Sequence, residues 1–390
     1  MSQRMLIDAR HPEETRVAVV NGNRIEEFDF EAADRKQLKG NIYLARVTRV
    51  EPSLQAAFVE YGGNRHGFLA FSEIHPDYYQ IPREDREALL REEQALAHDD
   101  SHDDAEANGE ETGEDGEEIA ESGGHGDDTD ALRRKRQALR RRYKIQEVIQ
   151  RRQVLLIQVV KEERGNKGAA LTTYLSLAGR YCVLMPNTAH GGGISRKISN
   201  LSDRKRLKQV MADLKLPNGM GAIVRTAGLK RSKTEIKRDF DYLARLWDEI
   251  RETTLGSSAP ALIHSDSDLI KRAIRDIYNR DIEEVMVEGE HGYRAARDFM
   301  KLLMPSHAKR VKAYSDPVPL FQRYGAEDQL TAMYDPVVQL KSGGYLVINP
   351  TEALVSIDIN SGRSTKEHGI EATALNTNLE AAREIARQLR

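Results

Sequence analysis

The chain has 390 residues, 39% hydrophobic and 31% charged, with a formal net charge of -3, a globular composition at a length that accommodates several compact units rather than one core. No apolar run approaches the roughly 20 residues of a bilayer-spanning helix, and the single cysteine, Cys182, excludes an internal disulfide and a four-thiolate zinc site. The net charge conceals a division: residues 92–130 hold 17 Asp and Glu and no Lys or Arg, so the remaining 45 acidic residues face 59 basic ones, a balance that suits a polyanionic partner such as nucleic acid.

In chain order, residues 15–20 and 24–30 flank Asn21-Gly22-Asn23, whose residues tolerate positive φ, and predict a β-hairpin. The start carries no apolar stretch followed by a small-residue cleavage site, so a cytoplasmic rather than exported protein is expected. Residues 38–71 predict more short strands, around Ile42, Leu44, Val47 and Val50, then Ala57 to Tyr61, then Phe68 to Phe71, with a turn at Gly62-Gly63-Asn64. Such closely spaced strands suggest a small barrel, completed by residues 153–160 and 169–175 after a long excursion. Within that excursion, residues 92–130 bury too little apolar surface to offset the entropy of ordering and are expected to be disordered. The basic stretch 132–152 has helical propensity; it is read either as a solvated helix or as an RNA-facing one that the acidic segment can mask.

Residues 200–251 have a helical period with an apolar stripe of Leu243, Leu246, Trp247 and Ile250. Helices are also predicted over 268–278 and 295–303. Strands return at 337–340, 345–348 and 354–359, with a turn at Ser342-Gly343-Gly344, and a last helix over 371–389 places Leu375, Leu379, Ala382, Ile385, Ala386 and Leu389 on one face.

Three groups of residues could carry chemistry. Asp358 and Asn360, two apart on the last strand, share one face, with Ile357 and Ile359 expected in the core behind them; a carboxylate and an amide so placed can hold a hard cation or orient a phosphate, or can merely cap a turn. Phe58 and Phe68 lie on adjacent barrel strands with Arg65, His66 and Lys167 near, the ingredients of a single-strand surface, although the residues alone favour two core phenylalanines. Finally, 191–197 and 224–228 join glycines to Arg196, Arg225 and Thr226, as a phosphate pocket would, without matching a nucleotide-binding signature.

The strings Gly40-Asn41-Ile42-Tyr43, Glu51-Pro52-Ser53-Leu54-Gln55-Ala56-Ala57-Phe58 and His66-Gly67-Phe68, with residues 161–173, 224–228 and 357–362, go beyond these generic patterns. Together, and in this order, they resemble the N-terminal catalytic half of the ribonuclease E/G family over nearly the whole chain except the acidic insert. The resemblance implies an α+β multidomain fold. A non-catalytic ribonuclease-H-like subdomain, 1–36 and 271–334, would be interrupted by an OB-fold RNA-binding domain, 37–174, and a 5′-sensor domain, 175–270. An incomplete deoxyribonuclease-I-like catalytic domain, 335–390, would follow.

What the resemblance implies for activity is a magnesium-dependent endoribonuclease that cleaves single-stranded, AU-rich RNA, prefers 5′-monophosphorylated ends and acts in RNA processing and decay. Asp358 then matches the magnesium-binding aspartate and Asn360 its catalytic neighbour; Phe58, Phe68 and Lys167 match RNA-holding positions; Gly179, Val183, Arg225 and Thr226 match the 5′-phosphate pocket. The family's second magnesium-binding aspartate and its zinc-binding cysteines are expected beyond Arg390. Zinc, a dimer or tetramer, degradosome partners and any inner-membrane association are therefore expected of a full-length protein. The chain as it stands is expected to bind single-stranded RNA, to be mainly monomeric and to cleave little. The alternatives are a non-catalytic OB-fold RNA-binding or scaffold protein, and nuclease chemistry in the ribonuclease-H-like part resting on Asp8.

Overall fold

The computed structural model describes residues 2–34, 36–63, 65–91, 143–163, 167–188, 192–214, 216–217, 219–266, 268–352, 354–364 and 369–389. The acidic insert and most of the basic stretch after it lie outside the described residues. Two compact units result, Met1–Lys36 with Leu269–Arg390, and Gln37–Asp268.

The first unit opens with β1 (Gln3–Asp8), β2 (Glu14–Asn21) and β3 (Arg24–Ala32). As predicted, β2 and β3 form a hairpin, with Asn21 opposite Arg24 and Gly22 at φ +63° in the turn.

The second unit begins with β4 (Ile42–Glu51), β5 (Ala56–Glu60) and β6 (Gly67–Ala70) and continues with β7 (Val154–Lys161) and β8 (Ala170–Thr172). These five strands close into the expected barrel: the order is β4-β5-β6-β8-β7, and β7 pairs back onto β4. Alternation dictates its filling, since side chains two apart share a face. Tyr43, Ala45 and Val47, then Ala57 and Val59, then Leu69, Leu155, Ile157, Val159 and Leu171 all point into one buried cluster. The described end of the basic stretch does not continue as a helix. A single helical turn, Ile145–Val148, tucks Ile145 and Val148 under the barrel before β7 begins.

Downstream lie β9 (Leu177–Ala178), β10 (Cys182–Met185), β11 (Gly192–Ile194), α1 (Leu201–Asp213), β12 (Gly221–Val224) and α2 (Lys233–Gly256). The sheet order is β11-β12-β10-β9. The helical reading of 200–251 thus holds for its two ends but not its middle, where Pro217 and Gly219 break the helix and the short run Gly221–Val224 pairs as a strand. α2 is capped by Ser232, which accepts from the Glu235 N–H, and buries Ile236, Asp239, Phe240, Leu243 and Ile250. A further strand, β13 (Ala261–His264), pairs with β4.

The first unit resumes with β14 (Ile282–Glu288), α3 (Glu290–Leu303) and β15 (Val311–Tyr314). β14 pairs in parallel with β1, so one five-stranded sheet, β15-β14-β1-β2-β3, joins residues 3–32 to residues 282–314. Then β16 (Val337–Gln339), β17 (Tyr345–Pro350) and β18 (Val355–Asn360) form a three-stranded antiparallel sheet followed by α4 (Ile370–Gln388).

The last helix forms where the sequence predicts it, and burial then selects residues other than the leucines of its apolar face. Its buried side chains are Thr377 and Ala381, while Leu375, Leu379 and Leu389 are 61%, 50% and 80% exposed. Two small side chains four apart let the helix backbone approach the sheet, and polar contacts lock that rotation. Glu384 accepts from Arg24 at 2.5 Å, and Arg387 donates to the Ile25 carbonyl at 2.9 Å. None of the described helices is long and apolar enough to cross a membrane.

Candidate nucleic-acid interface and catalytic site

On the barrel, Phe58 and Phe68 are half-buried, while their strand neighbours Ala57, Val59 and Leu69 are fully buried. The two rings therefore stand on the outer face rather than in the core. They are opposite each other across β5 and β6, edge to face, with centroids 6.1 Å apart. On the next strand Arg49 is opposite Phe58 and lays its guanidinium 4.7 Å from that ring's centroid. The sequence reading missed Arg49. Its signal was one of register, since an outward arginine on β4 matters only once β4 and β5 are paired. On the other side, Gly168 lies so close to the His66 carbonyl that a Cβ would come within 2.0 Å, which seats the exposed Lys167 beside the strand carrying Phe68. A row of one cation and two rings results, with Lys167 exposed near the adjoining strand, able to stack bases and follow a phosphate backbone.

The second group comes together on the β9–β10 turn. Gly179 and Val183 are buried, Arg225 is half-buried at the end of β12, and Thr226 is exposed at the start of a short 3-10 turn, Thr226–Gly228. Arg225 donates from its side chain to the Gly179 carbonyl at 2.6 Å and from its backbone N–H to the Tyr181 carbonyl at 2.8 Å. Arg196 is exposed beyond β11. Gly191 lies outside the described residues. Cys182 beneath the turn is no nucleophile: burial, reinforced by the Asp239 charge, pushes its thiol pKa well up and keeps it neutral.

On β18, Asp358 is opposite Val347 and Asn360 opposite Tyr345, which puts both polar residues on one face, as expected. Asp358 is exposed, and the Asn360 amide donates to it at 3.0 Å. Ile357 and Ile359 share the opposite face, but Ile359 is 38% exposed and Ile357 half-buried rather than both in a core. Among the described residues β18 is an edge strand, and the cluster behind the sheet consists of Leu340, Leu346 and Ala381 with a few half-buried neighbours. The carboxylate and the amide oxygen are hard donors that fit magnesium, an ion commonly held by one or two carboxylates together with substrate phosphates. No group of three or more His, Cys, Asp or Glu side chains is placed to hold a metal among the described residues.

Asp8 now has a neighbouring carboxylate, Glu288, opposite it on β14. Both are engaged: Arg16 donates to Asp8 at 2.6 Å and also to Glu327 at 2.9 Å, while Glu288 accepts from the Leu320 N–H at 2.8 Å. A cleft of about 600 Å³ between β3, β16 and α4 contains none of the residues singled out from the sequence. Its Arg24 and Arg387 both pair with Glu384.

The ribonuclease E/G family model matches residues 176–390. Ribonuclease E of Haemophilus influenzae is 43% identical over 388 residues, covering 100% of this chain and 36% of that protein. Ribonuclease E of Escherichia coli K12 is 41% identical, with 100% and 32% covered. Ribonuclease G of Escherichia coli K12 is 32% identical over 390 residues, covering 100% of this chain and 69% of that protein. The chain spans about a third of the length of these two ribonuclease E proteins.

Proposed function

We propose that this chain, which belongs to the ribonuclease E/G family, is the RNA-gripping and active-site-bearing part of a magnesium-dependent endoribonuclease. It acts on single-stranded, AU-rich RNA, favours 5′-monophosphorylated ends and serves RNA processing and decay. The observation that carries this reading is the outer face of the barrel, where Arg49, Phe58 and Phe68 form a continuous cation and aromatic row over a fully packed core.

The roles divide by chemistry. Bases stack on Phe58 and Phe68 while Arg49 and Lys167 meet the backbone, binding that tolerates many sequences because every base has a π-face. Arg225, with Thr226, Gly179 and Val183, meets a terminal phosphate, for which a guanidinium offers paired donors. Asp358 would hold the magnesium ion, with Asn360 orienting that carboxylate. When bound, the ion would supply Lewis-acid polarisation of the scissile phosphate and an activated water, leaving a 3′-hydroxyl and a 5′-phosphate.

In this reading the barrel, 37–174, is an OB-fold domain and 175–270 the 5′-sensor. Residues 1–36 and 271–334 form the ribonuclease-H-like part, and 335–390 belong to a deoxyribonuclease-I-like catalytic domain. Zinc, oligomer contacts and degradosome partners belong to the full-length protein, and the setting is cytoplasmic. The test is cleavage of a single-stranded AU-rich oligonucleotide by the full-length protein. Cleavage that requires magnesium and runs faster on a 5′-monophosphate than on a 5′-hydroxyl is expected. Tight binding without magnesium-dependent cleavage would leave a non-catalytic RNA-binding protein instead.

A further inference from the structure

We infer that Asp239 is the positioning residue of the phosphate pocket: from inside the protein its carboxylate fixes the 179–182 turn, so that the turn's carbonyls hold Arg225 in place for a terminal phosphate. The inference rests on the reading of Gly179, Val183, Arg225 and Thr226 as that pocket.

Asp239 lies on the buried face of α2, between Ile236 and Leu243, at 2% exposure. An ionisable group in such a place is costly unless its lone pairs are satisfied. Here they are met by three consecutive backbone N–H groups. Arg180 donates to Oδ1 at 3.0 Å, and Tyr181 and Cys182 donate to Oδ2 at 2.8 and 2.9 Å. The neutral Cys182 thiol adds a contact to Oδ2 at 3.3 Å.

Successive N–H groups turned to one point make a nest of the kind that binds phosphate. This nest is already filled by the protein's own anion, so its three donors are not open to a ligand phosphate. The other side of the turn carries the carbonyls. With its N–H groups drawn inward, the turn presents the Gly179 oxygen to the Arg225 side chain at 2.6 Å and the Tyr181 oxygen to the Arg225 N–H at 2.8 Å. Gly179 N–H closes the loop on the Cys182 carbonyl at 2.8 Å.

An arginine left to itself samples many rotamers, and fixing it before the ligand arrives removes that ordering cost from binding. The glycine is tightly packed, since a Cβ on Gly179 would come within 2.5 Å of Asp239 Oδ2 and 2.8 Å of the Cys182 oxygen, so any larger residue must shift the carboxylate or the turn. The sequence did hold a signal: Asp239 is a lone carboxylate on the buried face of α2, four residues before Leu243.

The experiment measures binding of the 390-residue chain to one single-stranded oligonucleotide carrying either a 5′-monophosphate or a 5′-hydroxyl, by fluorescence anisotropy. Wild type should prefer the monophosphate, and Arg225→Ala should abolish that preference. Asp239→Asn sets an amide N–H₂ among backbone donors. It should weaken binding of the phosphorylated oligonucleotide about tenfold, the factor equivalent to ~1.4 kcal/mol, while changing that of the hydroxyl form less than about twofold. If Asp239→Asn does not fold, Gly179→Ala, which displaces the carboxylate, must show the same selective loss. A wild type without preference overturns the pocket reading and this inference together. A preference lost in Arg225→Ala but kept in Asp239→Asn or in a folded Gly179→Ala overturns the role of Asp239 alone, as does equal weakening of both oligonucleotides.

Discussion

The barrel and the three-stranded sheet that carries Asp358 are both small β structures with candidate site residues on one face, yet they are backed very differently. The barrel closes on itself, and its inward residues, from Tyr43 to Leu171, form one continuous buried cluster. Among the described residues the sheet β16-β17-β18 has open edges, a buried cluster of Leu340, Leu346 and Ala381, and Val355 and Ile359 exposed on the strand of Asp358 itself. Closure removes sheet edges and lets every strand share a core, so side chains on the barrel's outside can change without disturbing its inside. Among the described residues the sheet backs Asp358 with only this small cluster, so within this chain the position of Asp358 depends on few packing neighbours.

The largest expected effect tests the chemistry of the open sheet. Asp358→Asn in the full-length protein should lower turnover on the order of 10²–10³-fold, the range seen when one charge-stabilising group is removed, with RNA affinity almost unchanged. Single-turnover cleavage within a few-fold of wild type would show that the catalytic centre lies elsewhere.

Next come the supports. Leu155→Ala and Leu346→Ala each empty a site that is fully buried, and each should cost about 2–5 kcal/mol of local stability. The comparison predicts different consequences. Leu155→Ala should lower the melting temperature while folded protein keeps its RNA affinity. Leu346→Ala should depress turnover more than binding. Loss of binding in folded Leu155→Ala would mean that the outer face does depend on its core.

Phe58→Ala should cost about 1–3 kcal/mol of binding to single-stranded RNA with little change in melting temperature, because the ring is half-buried outside the cluster. A lower melting temperature with intact affinity would return Phe58 to a packing role. The smallest effect is expected for Arg49→Ala, about 0.5–1 kcal/mol, and it should be less than additive with Phe58→Ala, since the two side chains touch. A double-mutant cycle that is fully additive would break the row into independent contacts.

What the sequence by itself determined is what repeats over a few residues. Alternation in β4, β5 and β7 sorts inward from outward positions, glycine at positive φ turns the β2–β3 hairpin, and spacing by two puts Asp358 and Asn360 on one face. The residues alone offered Asp358, Asn360, Phe58, Phe68, Lys167, Arg225 and Thr226 with alternatives left open; the strings that resemble the ribonuclease E/G family implied roles for them and added Gly179 and Val183. Tertiary structure decided whatever needed a distant partner. It paired β1 with β14, and it aligned Arg49 with Phe58 through register. It also turned α4 to bury Thr377 and Ala381 instead of the leucine stripe, and brought the Asp239 carboxylate under a turn more than fifty residues earlier. Local periods follow from backbone geometry, which each segment carries within itself. Which face is buried, and which charge meets which backbone group, depends on close approach between segments that no local pattern encodes.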